Sequence, residues 1–444
     1  MNPSNPQQKR RHPKGLPVLF FTEMWERFSF YCMLSILSLY MKETAEAGGL
    51  GFSIFKTGQI YGGYIGLVYF TPLIGGILAD RVLGIRKTII IGGLFMMAGH
   101  FLLAFRPLPF FFGSLICLMI GNGCFKPNIS TLLGNLYRDV PEKKDDGYNI
   151  FYMGINLGAF MSPLVAASLR NLHPIYGWHY AFAAAGVGMI ISLATFLSLQ
   201  KYVRAGENLN RISPEYQQRE IELNPAQTRR RVQALLVIFA VVIFFWMVFH
   251  QNGLTLTFWA ENATRTNWNP EIFQSVNPLF ILIFTPLLVA FWNVLRRRRL
   301  EPSTASKLGL GMLLTAASYL IMAFAGLAGG DRGKVSVAWL IEAYAVITLG
   351  ELCLSPMGLS LVSKLAPWKV RGAMMGGWFA ATAVGNYLSG LIGGFWDRMP
   401  HSTFFFILVG TSLFAAAILF AMLKFLNPII REAEEAAAAA VKTE

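Results

Sequence analysis

The sequence predicts an all-α membrane protein whose twelve transmembrane helices form two six-helix bundles. Three observations lead there: the apolar content, the length of the apolar runs, and a motif that recurs in both halves. Of the 444 residues, 54% are hydrophobic and only 14% are charged, with a mean hydropathy of +0.48. The apolar residues fall in runs of about 20, the length that crosses a bilayer as a helix. A helix satisfies its own backbone hydrogen bonds in lipid, which is why this class spans membranes. The runs cover 16–41, 53–79, 88–106, 108–135, 149–170, 178–200, 232–260, 271–295, 306–328, 335–364, 372–396 and 402–425.

Around these runs the chain divides into a tail (1–15), a bundle (16–200), a polar linker (201–231) with Pro214 and Pro225, a second bundle (232–425) and a C-terminal tail (426–444). The basic stretch Lys9–Lys14 leads straight into a full-length run, so no cleavable signal peptide is expected. The net charge of +14 does not point to nucleic acid, because its distribution follows topology. With the N-terminus inside, 28 of the 38 Lys and Arg fall on the tails and even-numbered connections and 8 on the odd ones. The positive-inside rule then puts both termini and the linker in the cytoplasm. Basic runs such as Arg229–Arg231 and Arg296–Arg299 read as orientation signals. Cys32, Cys117, Cys124 and Cys353 all sit within apolar runs without metal or redox spacing, and read as buried small hydrophobes. The tail "EAEEAAAAAVKTE" reads as a fraying helix or disorder without chemistry.

The first run poses the functional question. Within "FFTEMWERFSF" (20–30) it carries Glu23, Glu26 and Arg27 at i, i+3, i+4 spacing, on one face of a helix. Facing lipid, each charge costs about 2.5–3.5 kcal/mol on insertion scales. Lys126 in run 4 and Glu351 in run 10 are charged as well, and Glu342 lies nearer the outer end of run 10. Charges at depth on both halves imply a polar cavity rather than a structural staple. If all five deep groups ionise they sum to −1, so one bound proton neutralises the site. Lys126 and Glu351 each lie about 25 Å along a helix running inward, at ~1.5 Å per residue. At matching depth on opposite halves, they are candidates for a bridge closing the inner mouth.

A repeat supports the two-bundle division. "GNGCFKPNISTL" (121–132) and "GELCLSPMGLSL" (350–361) align at one constant offset, each in the fourth helix of its block. Two related halves with a site between them is the architecture of a major facilitator secondary transporter. The segment "GGILADRVLGIRK" (75–87) resembles that superfamily's loop between helices 2 and 3, where Asp80 is expected at a helix N-terminus with the Arg residues as its neighbours.

Over nearly its whole length the chain resembles the proton-dependent oligopeptide transporter family. "EMWERFSFY" looks like the family's ExxER motif, "GNGCFKPNIS" its Lys-Pro-Asn segment, and "FYMGINLGAF" its FYxxINxG signature. "SVNPLFI", "GELCLSPMGLS" and "WFAATAVGNYLSG" resemble helices 8, 10 and 11. The resemblance implies proton-driven symport of di- and tripeptides by a monomer in a bacterial inner membrane, with the proton as coupling ion and no other cofactor. It implies that Arg27, Lys126 and Asn156 hold the peptide carboxylate, that Tyr31 and Tyr69 line the cavity, and that Asn277 and Glu351 receive the amino terminus. Ser355, Trp246 and Trp378 would complete the pocket, and Glu23 and Glu26 would take part in proton coupling with Arg27 and Glu351. A zwitterion needs a cationic end, an anionic end and tolerant walls, which suits this set.

The departures are specific. Many bacterial members insert two further helices between the halves, and this linker is too short and polar for them. Leu34 stands where the family usually has Arg, His250 where it usually has Glu, and Phe30 where Tyr is frequent. The missing Arg and Glu would form an outer-gate pair; losing both avoids stranding one charge. Closure at Leu34 and His250 would then rely on apolar packing. His250 is either a substitute proton site or a neutral histidine bonded to a neighbour. His100 reads as structural. Two rivals remain: a transporter of a non-peptide solute (nitrate, another small anion or an amino-acid derivative), and a membrane enzyme or sensor. For the second, the sequence shows no nucleophile–base pair or metal spacing.

Overall fold

The computed structural model describes residues 11–138, 140, 143–209, 224–331, 333–367 and 371–442. The first half contains α1 (Gly15–Lys42), α2 (Ile54–Leu78), α3 (Ile85–Leu102), α4 (Leu108–Leu136), α5 (Lys144–Arg170) and α6 (Gly177–Ser198). In the second half, α7 (Pro225–Phe249), a 3₁₀ turn (His250–Gly253) and α8 (Thr255–Asn262) make up the seventh membrane segment. A 3₁₀ turn (Pro270–Ser275) leads into α9 (Val276–Arg297), followed by α10 (Thr304–Ala328), α11 (Val337–Leu365), α12 (Arg371–Gly393) and α13 (His401–Ala421). The last helix, α14 (Leu423–Lys442), belongs to the tail.

Among the described residues, ten segments are long and apolar enough to cross a membrane. Of the twelve expected spans, α1 and α12 fall outside that set. Each has the length, but α1 carries Glu23, Glu26 and Arg27, and α12 is diluted by its glycines and Asn386. Side-chain caps define several starts: Ser53 for α2, Ser303 for α10, Ser336 for α11, and a reciprocal Asn224–Gln227 capping box for α7.

Helix packing repeats between the halves. In the first, α1 packs on α5 and α6, α3 on α4 and α6, and α2 on α4. In the second, α7 packs on α12 and α13, α10 on α11 and α13, and α9 on α11. Each contact has its counterpart six membrane segments later, as do two of the helix contacts between halves, α2 with α12 and α5 with α9. The repeated motif has a physical task in this arrangement. A Cβ on Gly121 would lie 2.7 Å from Gly92 O of α3, and one on Gly350 2.9 Å from Gly311 O of α10. Both glycines let two backbones cross in contact, as small residues do in membrane helix pairs.

Several segments differ from the sequence expectation. α7 begins at Pro225 rather than 232, so Arg229–Arg231 are helical, and Arg231 Nη2 lies 3.7 Å from Glu432 Oε1 of α14. The tail is helical, one of its two expected forms, and α14 buries Leu426, Ile429, Ile430 and Ala433. The start of the linker folds back in 3₁₀ turns, where Arg86 Nη1 meets Glu207 Oε2 at 2.5 Å and Asn135 Nδ2 donates to Gly206 O at 2.8 Å. Linker residues 210–223 lie outside the described residues. Asp80 is exposed in a π-helical turn (Ala79–Leu83), and Arg86 reaches the linker instead.

At the face opposite the termini, the far face, the halves are laced together. Arg170 Nη1 pairs with Glu271 Oε2 at 2.9 Å, and Lys42 Nζ with Glu261 Oε2 at 2.5 Å. Asn269 Nδ2 donates to Asn171 Oδ1, Gln274 Nε2 to Ser35 O, Ser275 Oγ to Phe160 O, and Ser38 Oγ to Gly253 O. Glycines 58 and 62 of α2 approach Gly390 of α12 closely enough that no side chain fits between. A parallel pair of two-residue strands, Thr264–Arg265 with Val335–Ser336, ties the far-face loops of the second half together.

Candidate functional site

Between the halves lies a cavity of about 260 Å3, lined from α1, α2, α4 and α5 on one side and from α7, α9, α11 and the two 3₁₀ turns on the other. The charged face of α1 forms part of its wall. Arg27 lies 3.1 Å from Glu23 Oε1 through Nε and donates to Glu26 Oε1 through Nη2 at 2.7 Å, with a second, shorter contact from Nε to Glu26 Oε2. All three side chains are almost wholly buried. The guanidinium also lies 5.4 Å from the centre of the Phe30 ring. A charge cluster survives burial when its members satisfy one another. Here the cluster is incomplete: Glu23 Oε2 is buried without a partner, and Glu23 and Arg27 reach the cavity while Glu26 lies behind them.

Lys126 enters the cavity from α4, its Nζ 4.3 Å from the centre of the Tyr69 ring. On the opposite half, Asn277 Nδ2 donates to Glu351 Oε2 at 2.9 Å and to Thr348 Oγ1 at 3.0 Å. Both amide hydrogens of Asn277 are thereby spent on fixing the carboxylate. Asn156 Nδ2 donates to Tyr152 O of its own helix at 2.9 Å. Trp246 and His250 stack at 5.4 Å, and Tyr69 meets both, His250 edge-on at 5.9 Å.

Among the residues singled out from sequence, the cavity brings together Glu23, Arg27, Tyr31, Leu34, Tyr69, Lys126, Asn156, Trp246, His250, Asn277 and Glu351. Ser355 and Trp378 are placed elsewhere. Trp378 is 3% exposed, edge-on to Phe239, and so close to Gly358 that a Cβ there would collide with it. The Ser355 hydroxyl is buried without a partner one turn along α11 from Glu351. Lys126 and Glu351 share the cavity without forming an ion pair among the described residues: the lysine rests on Tyr69 and the carboxylate on Asn277. Sequence reasoning missed Tyr61, Tyr152, Asn252 and Gln274, which also line the cavity. Asn252 and Gln274 lie near segment ends, where polar residues read as loop; only their adjacency to His250 and Asn277 marks them.

The POT family model matches residues 86–211 and 211–407. The chain belongs to the POT family. It is 34% identical to the peptide transporter YePEPT of Yersinia enterocolitica, over 86% of this chain and 88% of that one. It is 33% identical to a di-/tripeptide transporter of Lactococcus lactis, over 86% of this chain and 89% of that one. A crystal structure of a POT family transporter in complex with a thioalcohol-conjugated peptide superposes with a TM-score of 0.84 at 29% identity, covering 94% of this chain and 97% of that one. This is therefore an integral membrane transporter of the major facilitator fold.

Proposed function

We propose that this POT family member carries di- and tripeptides across a bacterial inner membrane together with protons, by alternating access, with both termini in the cytoplasm. One observation carries the reading: a single cavity between the halves has Arg27 and Lys126 on one wall and a Glu351 carboxylate, held by Asn277, on the other. A zwitterion is the ligand that satisfies both poles, its carboxylate at the cations and its ammonium at Glu351. Names of relatives from two bacteria, both peptide transporters, support the same substrate class. The charges at or beside the cavity, Glu23, Glu26, Arg27, Lys126 and Glu351, sum to −1, so one proton on a carboxylate leaves the site neutral for a zwitterion to enter. That gives Glu23 and Glu26 the coupling role. With both termini in the cytoplasm, the far-face lacing closes the cavity on the outside. Uptake of a small peptide panel into proteoliposomes, with and without an inward proton gradient, tests the reading. Uptake that ignores the gradient would remove the coupling, and a panel without any transported peptide would remove the substrate.

A further inference from the structure

The second half contributes a pole to the cavity that the zwitterion reading leaves unused. On the turn His250–Gly253 and the helical turn before it, Trp246 Nε1, His250 Nε2 and Asn252 Oδ1 are all buried without a hydrogen-bond partner, and all three residues line the cavity. A buried polar atom left unpaired is costly, so three within seven residues call for something that pairs with them. Across from the turn, Gln274 has its orientation fixed. Its amide donates to Ser35 O and to Thr257 Oγ1, each at 3.0 Å. A carbonyl only accepts, so the atom facing Ser35 O is the nitrogen, and both its hydrogens are committed. Gln274 Oε1 is left as an acceptor on the cavity side. It converges with the Tyr61 hydroxyl on Gly253: a Cβ there would lie 2.0 Å from the hydroxyl and 3.8 Å from Gln274 Oε1.

The chemistry of this pole is uncharged. It offers one obligate donor (the indole N–H), one fixed acceptor (Gln274 Oε1), and groups of either polarity in Asn252, His250 and Tyr61. The charged groups of the cavity are committed elsewhere, Glu23 to Arg27, Glu351 to Asn277, and Lys126 to the face of Tyr69. A side chain that both donates and accepts, such as a carboxamide or a hydroxyl, pairs with such a set. A basic one is desolvated there without a counter-ion.

We propose that Trp246, His250, Asn252 and Gln274 form a neutral side-chain subsite, which makes the transporter favour peptides bearing a carboxamide or hydroxyl over isosteric apolar ones. The proposal rests on the peptide reading and names which peptides that reading favours. The subsite stands where Leu34 and His250 replace a charged pair expected from the family, so selectivity here is set by hydrogen bonding instead of charge.

The test is competition against uptake of labelled Ala-Ala by the full chain in proteoliposomes, using Ala-Gln, Ala-Asn, Ala-Leu and Ala-Lys. Wild type is expected to be inhibited by Ala-Gln at roughly one-tenth the concentration needed of Ala-Leu, the size of one or two hydrogen bonds. Asn252→Leu should erase that ratio by raising the Ala-Gln value while leaving Ala-Leu within about twofold. Asn252→Asp should bring Ala-Lys into the competing range. Gly253→Ala, which displaces the Tyr61 hydroxyl, should weaken Ala-Gln more than Ala-Leu. Equal inhibition by Ala-Gln and Ala-Leu in wild type, or an unchanged ratio in Asn252→Leu, overturns the subsite while peptide transport stands. A wild-type protein that transports no Ala-Ala overturns the peptide reading, and the subsite with it.

Discussion

The far-face ion pair between Arg170 and Glu271 should hold the outer side of the transporter shut, and its two halves should respond unequally to mutation. Glu271 is fully buried, whereas the Arg170 side chain is 20% exposed and lies 4.0 Å from the centre of the Trp178 ring. Removing the carboxylate by Glu271→Gln leaves a guanidinium that still has solvent and an aromatic face. A loss of about 1 kcal/mol is expected, the upper end for a partly exposed pair, which shifts the closed-to-open ratio about fivefold. Arg170→Met is worse. It strands a buried carboxylate whose remaining side-chain partner is Asn269 Nδ2 at 3.4 Å. Breaking a buried pair in that way costs about 3–5 kcal/mol, a shift of over a hundredfold toward the outward-open state. Replacing both partners by apolar residues, Arg170→Met with Glu271→Leu, removes the stranded charge and should restore most of the closure.

Distance measurement between spin labels reads this directly. Leu172 and Lys334 are exposed at the far face, one on each half, and labels there report its opening in a background where the partly exposed Cys117 is changed to Ser. The expected order of open population is wild type, then the double apolar variant, then Glu271→Gln, then Arg170→Met. Identical distance distributions in all four, or a double variant as open as Arg170→Met, would refute the latch.

Other outcomes follow from the cavity. Glu23→Gln and Glu26→Gln should abolish gradient-driven uptake while sparing peptide exchange, since exchange moves no net proton; counterflow assays separate the two. Lys126→Ala and Glu351→Gln should each weaken peptide binding by about tenfold or more, the size of a charge-assisted hydrogen bond, read by competition against a labelled peptide. In the loop after α9, Arg296 Nε and Lys307 Nζ each bond to Glu301 at 2.6 Å. Hydrogen bonding from Arg296, then from Lys307, holds that carboxyl down at about 2, against the ordinary 4.5. A depressed folded value stabilises above the unfolded one and is lost as pH falls, so Glu301→Gln should lower Tm slightly at pH 7 and progressively less between pH 4.5 and 2.

The helices, the two-bundle division and the charged wall of the cavity were legible in the sequence because lipid makes them so. An apolar run must be long enough to span, and a charge within it must face something polar. Glu23, Arg27, Lys126 and Glu351 stand out for that reason, and all four meet in one cavity. Residues at segment ends carry no such penalty. Arg170 and Glu271 look like loop charges whether or not they pair across the halves, and Asn252 and Gln274 look like loop amides. Trp378 shows the converse: an aromatic on an apolar helix is compatible with cavity or core, and here Gly358 lets it sink between helices. The docking of α14 was not legible, because its alanine-rich end, which reads as a fraying helix or disorder, masks the few residues, Leu426, Ile429 and Ile430, that anchor it.

With Leu34 and His250 at the positions where the family resemblance leads one to expect an Arg–Glu pair, the ion pairs between the halves sit at the far face. Leu34 is 6% exposed and His250 is stacked on Trp246, so an ion pair at this depth would be held away from bulk solvent. Lys42 lies eight residues further along α1, ~12 Å at ~1.5 Å per residue, and pairs there with Glu261, with side chains 18% and 22% exposed. An ion pair near solvent gives up less hydration on forming and strands less charge on breaking, so it opens at lower cost than one at the cavity floor. Under the alternating-access reading, the outer contacts must break in every cycle. The Lys42–Glu261 pair keeps the gate polar near solvent, with the apolar Leu34 deeper along α1. Introducing the deeper outer-gate pair by Leu34→Arg with His250→Glu should therefore slow turnover even where peptide binding is retained. Faster turnover in that double variant would show that the outward placement has no bearing on cycling.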